Sequence, residues 1–174
     1  MSISALSGLL PAVQRDLLGG IDVAVASTFG AGMRLYRFSS SHLFDEGFYV
    51  SPWWFKQSDF DGLMGTVRRD PEILARRARS AATIPMLWSG NSNVNLLDRV
   101  VQVTLKVTVQ AFRGPGKDQE SSGGQIVRAP RDVMQNFLPA LSWRNDPKPN
   151  LLTARGLFAE MTVVPIDSAL PAVP

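Results

Sequence analysis

The sequence predicts an α+β fold in a single domain, on three observations. Helical spacing of apolar residues is concentrated in the first half of the chain, apolar/polar alternation dominates the second, and no repeat or long linker divides the 174 residues. The expected sheets are mixed or antiparallel. A chain of this length buries about two thirds of its unfolded surface, so residues 1–174 are expected to build their own core.

The elements follow in order. Ser2 to Leu18 carries Leu6, Leu9, Leu10, Val13, Leu17 and Leu18 at roughly helical spacing, with Pro11 splitting it into two turns and Gly19-Gly20 as the stop, so residues 1–20 form an N-terminal helix. Ile21 to Gly32 is rich in small residues and fits either class. Met33 to Phe38 alternates as a strand, with Arg34 and Arg37 facing opposite ways. Gly47 to Ser51 predicts a second strand that Pro52 stops, followed by the consecutive aromatics Trp53, Trp54 and Phe55, which cannot all point inward. Asp70-Pro71-Glu72 is a helix start, with Arg76, Arg77 and Arg79 in the later turns, and it predicts a central Arg-rich helix.

Arg99 to Phe112 is the clearest pattern. Val101, Val103, Leu105, Val107, Val109 and Ala111 alternate with polar residues, which reads as one long strand with a dry and a wet face. Gly114 to Gly124 is a polar, glycine-rich loop that delivers Gln125 onto a strand, Gln125 to Arg128, and Arg131 to Phe137 reads as a short helix or turn. Trp143 to Asn150 is a loop, Leu157 to Ile166 the last strand, and residues 167–174 a loose tail.

Composition narrows the chemistry. Hydrophobic residues make up 45% and charged residues 19%, a globular balance, and there is no cysteine to support disulfides, zinc fingers, iron–sulfur clusters or thiol catalysis. With His42 as the one histidine, an imidazole-built metal centre is not expected. Eighteen Lys+Arg against fifteen Asp+Glu give a net charge of +3, a mild bias toward anionic ligands that falls short of a nucleic-acid binder. No apolar run reaches the ~20 residues of a membrane span and no secretory leader is evident, so a soluble protein is expected, cytoplasmic or delivered without a cleaved signal.

No phosphate-cradling GxxxxGK[ST], dinucleotide GxGxxG or metal-binding HExxH occurs. What the chain offers is an arginine closing one strand (Arg37), a serine closing the next (Ser51), and a glycine-rich loop ending in Gln125. Arginine gives a planar, bidentate donor for phosphate, a serine hydroxyl can bond a ribose or carboxamide, and Tyr49 and Trp53 offer rings for stacking.

This order resembles the ADP-ribosyltransferase superfamily, and most closely the NAD glycohydrolase branch typified by necrotizing-toxin domains. Arg37-Phe38 and Gly47-Phe48-Tyr49-Val50-Ser51-Pro52 are similar to that branch's Arg-Phe and Gly-x-x-x-Ser-Pro. Phe112-Arg113-Gly114-Pro115 and Ser122-Gly123-Gly124-Gln125 are similar to its later glycine and its Gly-rich loop ending in Gln. The resemblance spans Arg37 to Arg128. It implies an ADP-ribosyltransferase-like fold that binds NAD as substrate without a metal and cleaves the nicotinamide–ribose bond. Gln125 and Glu120 would be catalytic, and Arg37, Ser51, Tyr49 and Trp53 would bind NAD. It also implies a toxin or effector with a cognate immunity protein. Two departures bear on the acceptor: only Lys56 stands where the branch has an arginine after Ser-Pro, and Gln125 is followed by Ile126-Val127, leaving Glu120 as the loop carboxylate. Water is therefore expected as acceptor ahead of a macromolecule. The alternative is a non-enzymatic interaction domain using Trp53-Trp54-Phe55 and the Arg-rich helix.

Overall fold

The computed structural model describes residues 6, 8–41, 49–64, 97–120, 124 and 126–169. Among them, the chain runs α1 (Pro11–Gly20), β1 (Val25–Phe29), β2 (Arg34–Ser39), β3 (Trp53–Lys56), α2 (Gln57–Met64), β4 (Arg99–Leu105), β5 (Val109–Pro115), β6 (Gln119–Glu120), β7 (Ile126–Val127), β8 (Met134–Phe137), a 3-10 turn (Pro139–Leu141), α3 (Leu151–Leu157) and β9 (Phe158–Pro165). Seven strands form one sheet in the order β1-β5-β8-β3-β2-β4-β9, and β6 and β7 form a separate two-stranded ribbon. Every pairing is antiparallel. The fold is α+β. No helix of the described residues is long and apolar enough to cross a membrane.

Strand β3 is the hinge of the architecture. Its first half pairs with β8 (Trp53 with Phe137, Trp54 with Asn136), and its second half pairs with β2 (Phe55 with Tyr36, Lys56 with Leu35). The sheet forks there. Both faces of the fork are covered, so the three aromatics of β3 enter three different cores. Trp53 packs against Val13, Leu17, Phe112 and Phe137 under α1, Trp54 lies with Leu35, Val101 and Phe158, and Phe55 lies with Phe38, Phe60 and Met64 under α2. This corrects the expectation that they cannot all point inward: that holds for a sheet with one wet face, whereas at β3 both faces are packed and only part of Trp53 stays open. It also removes the Trp53-Trp54-Phe55 surface on which an interaction module would rely, since Trp54 and Phe55 are 0% and 3% exposed.

Other elements differ from expectation for identifiable reasons. Leu6 is helical, Gly8 and Leu9 form a turn and bend, and Pro11 opens α1 at its first position, so the segment is divided at the proline as expected; α1 then runs through Gly19 and Gly20 instead of stopping there and ends at an extended Ile21. The alternation from Arg99 to Phe112 is two strands. The chain turns over Lys106 to Thr108 and leaves β4 for β5, four places away in the sheet, with the alternation kept in phase across the turn. Residues 49–51, expected in a strand, lie outside any strand, and the strand begins beyond Pro52. Proline lacks the N–H a ladder needs, so here it precedes a strand rather than ending one. Arg131 to Phe137 is a turn followed by β8, not a helix. The start of the expected loose tail is tied down: Ser168 and Ala169 donate their amides to the Pro165 carbonyl, and Ala169 packs on the core. The predicted Arg-rich helix and residues 170–174 lie outside the described residues.

Two helices escaped the sequence reading. In α2, Phe60, Leu63 and Met64 are buried at helical spacing, and Phe60 stacks on Tyr36 with ring centroids 4.6 Å apart. In α3, the Asn150 side chain accepts the Leu152 and Thr153 amides while Thr153 answers at the Asn150 amide, a complete capping box.

Candidate functional site

The fork opens a cleft. Pairing between β2 and β3 ends at Tyr36–Phe55, so the next residues, Arg37 on β2 and Trp54 on β3, face each other without a ladder between them. The Arg37 guanidinium carbon stands 5.9 Å from the centroid of the Trp54 ring. Around this point lies a cavity of about 690 Å³, walled by α1 (Ala12, Arg15, Asp16, Gly19, Gly20), by Arg37 and Phe38, by Ser51 and β3, by Gln119 and Gln135, and by Trp143 and Arg144. That volume lies within the ~300–1,000 Å³ typical of small-molecule sites.

Three of the residues singled out in the sequence meet there. Arg37 shares the Leu35 face of β2, and burial pushes its guanidinium down to about 10, which leaves it protonated at neutral pH. Ser51 is buried; its Oγ accepts the Trp53 amide at 3.3 Å across Pro52, and its carbonyl accepts Trp54 Nε1 at 2.6 Å. That turn is why the Ser-Pro pair sits where it does: it fixes the entry to β3 while leaving the hydroxyl proton to donate. Trp53 is partly exposed to the cleft and is held from behind by Phe137, edge-on at 4.8 Å, and by α1, which passes so close at Gly20 that a Cβ there would overlap the indole.

The other candidates fall elsewhere. Tyr49 packs against the core cluster that holds Trp54 and does not line the cleft. Glu120 is exposed on β6, where its neighbour Gln119 faces the cleft side and donates Nε2 to the Gly19 carbonyl at 2.7 Å; successive residues of a strand point opposite ways. Gln125 and His42 lie outside the described residues. Gly114, matched above to a family glycine, lies inside β5, where a Cβ would strike the Val23 carbonyl and Ile21 Cγ2. Close strand packing accounts for it.

The structure adds residues the sequence reading passed over. Arg15 and Asp16 come from α1, Gln135 from β8, and Trp143 and Arg144 from the turn after the 3-10 helix. Asp16 Oδ2 accepts the Ser142 hydroxyl at 3.0 Å, and Ser142 Oγ accepts the Arg144 amide at 3.2 Å, so one clasp fastens α1 to that turn. Trp143 donates its indole N–H to the Val50 carbonyl at 3.0 Å. Among the described residues, the cleft lining thus carries three arginines against one aspartate.

No protein-family model matches the chain, and no curated protein matches it. Among solved structures the chain is similar to "Rhs1-CT in complex with cognate immunity protein RhsI1", at 13% identity over 72% of this chain and 76% of that chain, with a TM-score of 0.44. A likeness that loose fixes neither the fold family nor an activity.

Proposed function

We propose that the chain is an NAD-cleaving enzyme of the toxin or effector type, breaking the nicotinamide–ribose bond in the cleft at the fork. The observation that carries this reading is the meeting of Arg37, Ser51 and Trp53, distant in the chain and of the types a dinucleotide needs, in one cationic cavity of about 690 Å³. The resemblance of the same residues to the NAD glycohydrolase motifs supports it.

The chemistry follows from the ligand. When the bond breaks, its electron pair leaves with nicotinamide, which becomes neutral, and positive charge develops on the ribose; water adds to the anomeric carbon and releases a proton. The enzyme has to hold the two halves in place while the bond lengthens. Arg37 at the cleft floor anchors a phosphate oxygen, Ser51 offers its hydroxyl to the ribose or carboxamide, the exposed part of Trp53 lies against a ring, and Gln125 bonds the ribose hydroxyls through its amide. Glu120, on the exposed ribbon rather than in the cleft lining, suits contact with a macromolecular acceptor, so water is the first acceptor and transfer the second. A cognate immunity protein would be the partner such an activity requires.

The test is nicotinamide release from NAD by the purified protein, beside Arg37→Ala and Gln125→Ala variants whose folding is checked by circular dichroism. Release by the parent that falls in both variants is the expected result. No release, with no NAD-dependent rise in melting temperature, rejects the reading, because a ligand that binds only the folded chain stabilises it by mass action.

A further inference from the structure

The three arginines of the cleft are not equivalent. Arg37 is partly buried at the fork, whereas Arg15 and Arg144 are exposed at the rim, on two elements that meet only in the folded chain. Those elements are fastened by the Asp16–Ser142 hydrogen bond, 3.0 Å long, beside which both arginines stand in sequence. Asp16, the one carboxylate of the lining among the described residues, is already engaged by the Ser142 hydroxyl. Among the described residues neither rim guanidinium has a hydrogen-bonding or ion-pair partner, although both share a cavity wall. The chain therefore holds two solvated cations at one mouth, where like charges repel, and uses a clasp to keep their elements together. An anion between them would turn that repulsion into attraction.

We propose that Arg15 and Arg144 form a second anion subsite at the cleft mouth, which grips the diphosphate of the ligand in concert with Arg37. This deepens, and rests on, the reading of the cleft as a dinucleotide site. It also sets the substrate class. With cations both at the floor and at the mouth, the cleft selects ligands that carry two linked phosphates, such as dinucleotides and nucleoside diphosphates, over mononucleotides that carry one. Guanidinium suits the task, since its planar fork can bond two phosphate oxygens at once.

The probes are ADP and AMP, titrated calorimetrically into the parent, Arg15→Ala, Arg144→Ala and, as a charge control, Arg155→Ala, which removes an exposed arginine from α3 away from the cleft. The parent is expected to bind ADP more tightly than AMP, each rim substitution to weaken ADP about tenfold, the scale of one charge-assisted contact, and Arg155→Ala to leave it unchanged. The subsite is overturned if the parent binds no ADP, if ADP and AMP bind alike, if the rim variants bind ADP as the parent does, or if Arg155→Ala weakens it equally, which would mean diffuse charge rather than a site. Nicotinamide release separates the two proposals. ADP binding that depends on both rim arginines, with no release from NAD, keeps the subsite and rejects cleavage with water as the acceptor. Release whose KM is indifferent to Arg15→Ala and Arg144→Ala keeps the cleavage and rejects the subsite.

Discussion

Two adjacent glycines at the end of α1 give opposite predictions, and the difference tests how the cleft wall is built. A Cβ added at Gly19 meets nothing within 4 Å, while one added at Gly20 would lie 2.6 and 2.8 Å from Cζ2 and Cζ3 of Trp53 and closer still to Cη2. Trp53 cannot simply move away, because its backbone is paired with Phe137 on β8 and its ring is wedged edge-on against the Phe137 ring. The helix end has to shift by about an ångström to restore van der Waals contact, and overpacking of that kind costs ~1–3 kcal/mol. Alanine recovers ~0.5–1 kcal/mol of the backbone entropy that glycine loses in a helix. Gly19→Ala receives only that gain. The two variants should therefore differ by about 2 kcal/mol, which for a chain of this size separates their melting temperatures by about 4–8 °C, with Gly19→Ala at or above the parent. Thermal denaturation followed by circular dichroism reads this directly. Adding Trp53→Leu to Gly20→Ala should return part of the loss by removing the overlapped ring atoms. Equal melting temperatures for the two single variants would refute the close approach of α1 to Trp53, and with it the placement of the helical wall of the cleft.

Three further outcomes follow from contacts around the fork. Asp59→Asn breaks a two-pronged pair in which Arg113 donates to both carboxylate oxygens at 2.8 and 2.9 Å; with Asp59 only 10% exposed, the loss should be about 1–2 kcal/mol by urea denaturation, between surface and buried ion pairs. Asn136→Ala removes a fully buried amide that donates to the Trp54 carbonyl at 3.0 Å, and stranding that acceptor should cost about 1–3 kcal/mol in the same assay. For Asp98, burial alone would raise the carboxyl, but hydrogen bonds from Ser41 and the Arg99 charge outweigh it and hold the group below its ordinary value of 3.8. A folded value below the unfolded one means stability that is complete above pH 3.8 and is lost as pH falls through the folded value. Asp98→Asn should thus lower the melting temperature at pH 7 and make it less sensitive to acid below pH 4 than in the parent; a parallel acid profile would argue against the Ser41 bond.

Legibility in the sequence followed the reach of the interactions that decide each element. Strand β2 and most of β9 were readable because alternation is local and their neighbours left it intact. The break between β4 and β5 was not, since Val107 continues the apolar period across a turn; only the pairing partners, β2 and β9 for one and β1 and β8 for the other, reveal that the chain has changed place. The helix α3 was within reach, because Asn150 and Thr153 are the two halves of a capping box, but the preceding Pro/Asn/Asp segment masked it. The short α2 carried a weaker signal, an acidic residue in its first turn and three buried residues over five positions.

The site was legible in the same uneven way. Ser51 and Trp53 could be named because they flank the start of β3, where the backbone stops satisfying itself and side chains gain access to a ligand, whereas Arg37, expected to close its strand, lies inside β2 paired with Val101 and reaches the cleft because β3 has parted from β2 beside it. Arg15, Asp16, Gln135 and Arg144 could not, because what makes them cleft residues is the fork, and the fork is a property of three strands at once. A four-residue strand whose first pair of residues bonds one neighbour and whose second pair bonds another cannot keep both neighbours flush along its length. The opening at Arg37 and Trp54 follows from that division, and its depth is preserved because the large side chains of β3 enter separate cores instead of closing over the gap. The aromatic run that looked like an exposed surface is therefore what holds the cleft open, and the arginines gathered around it give the opening its charge.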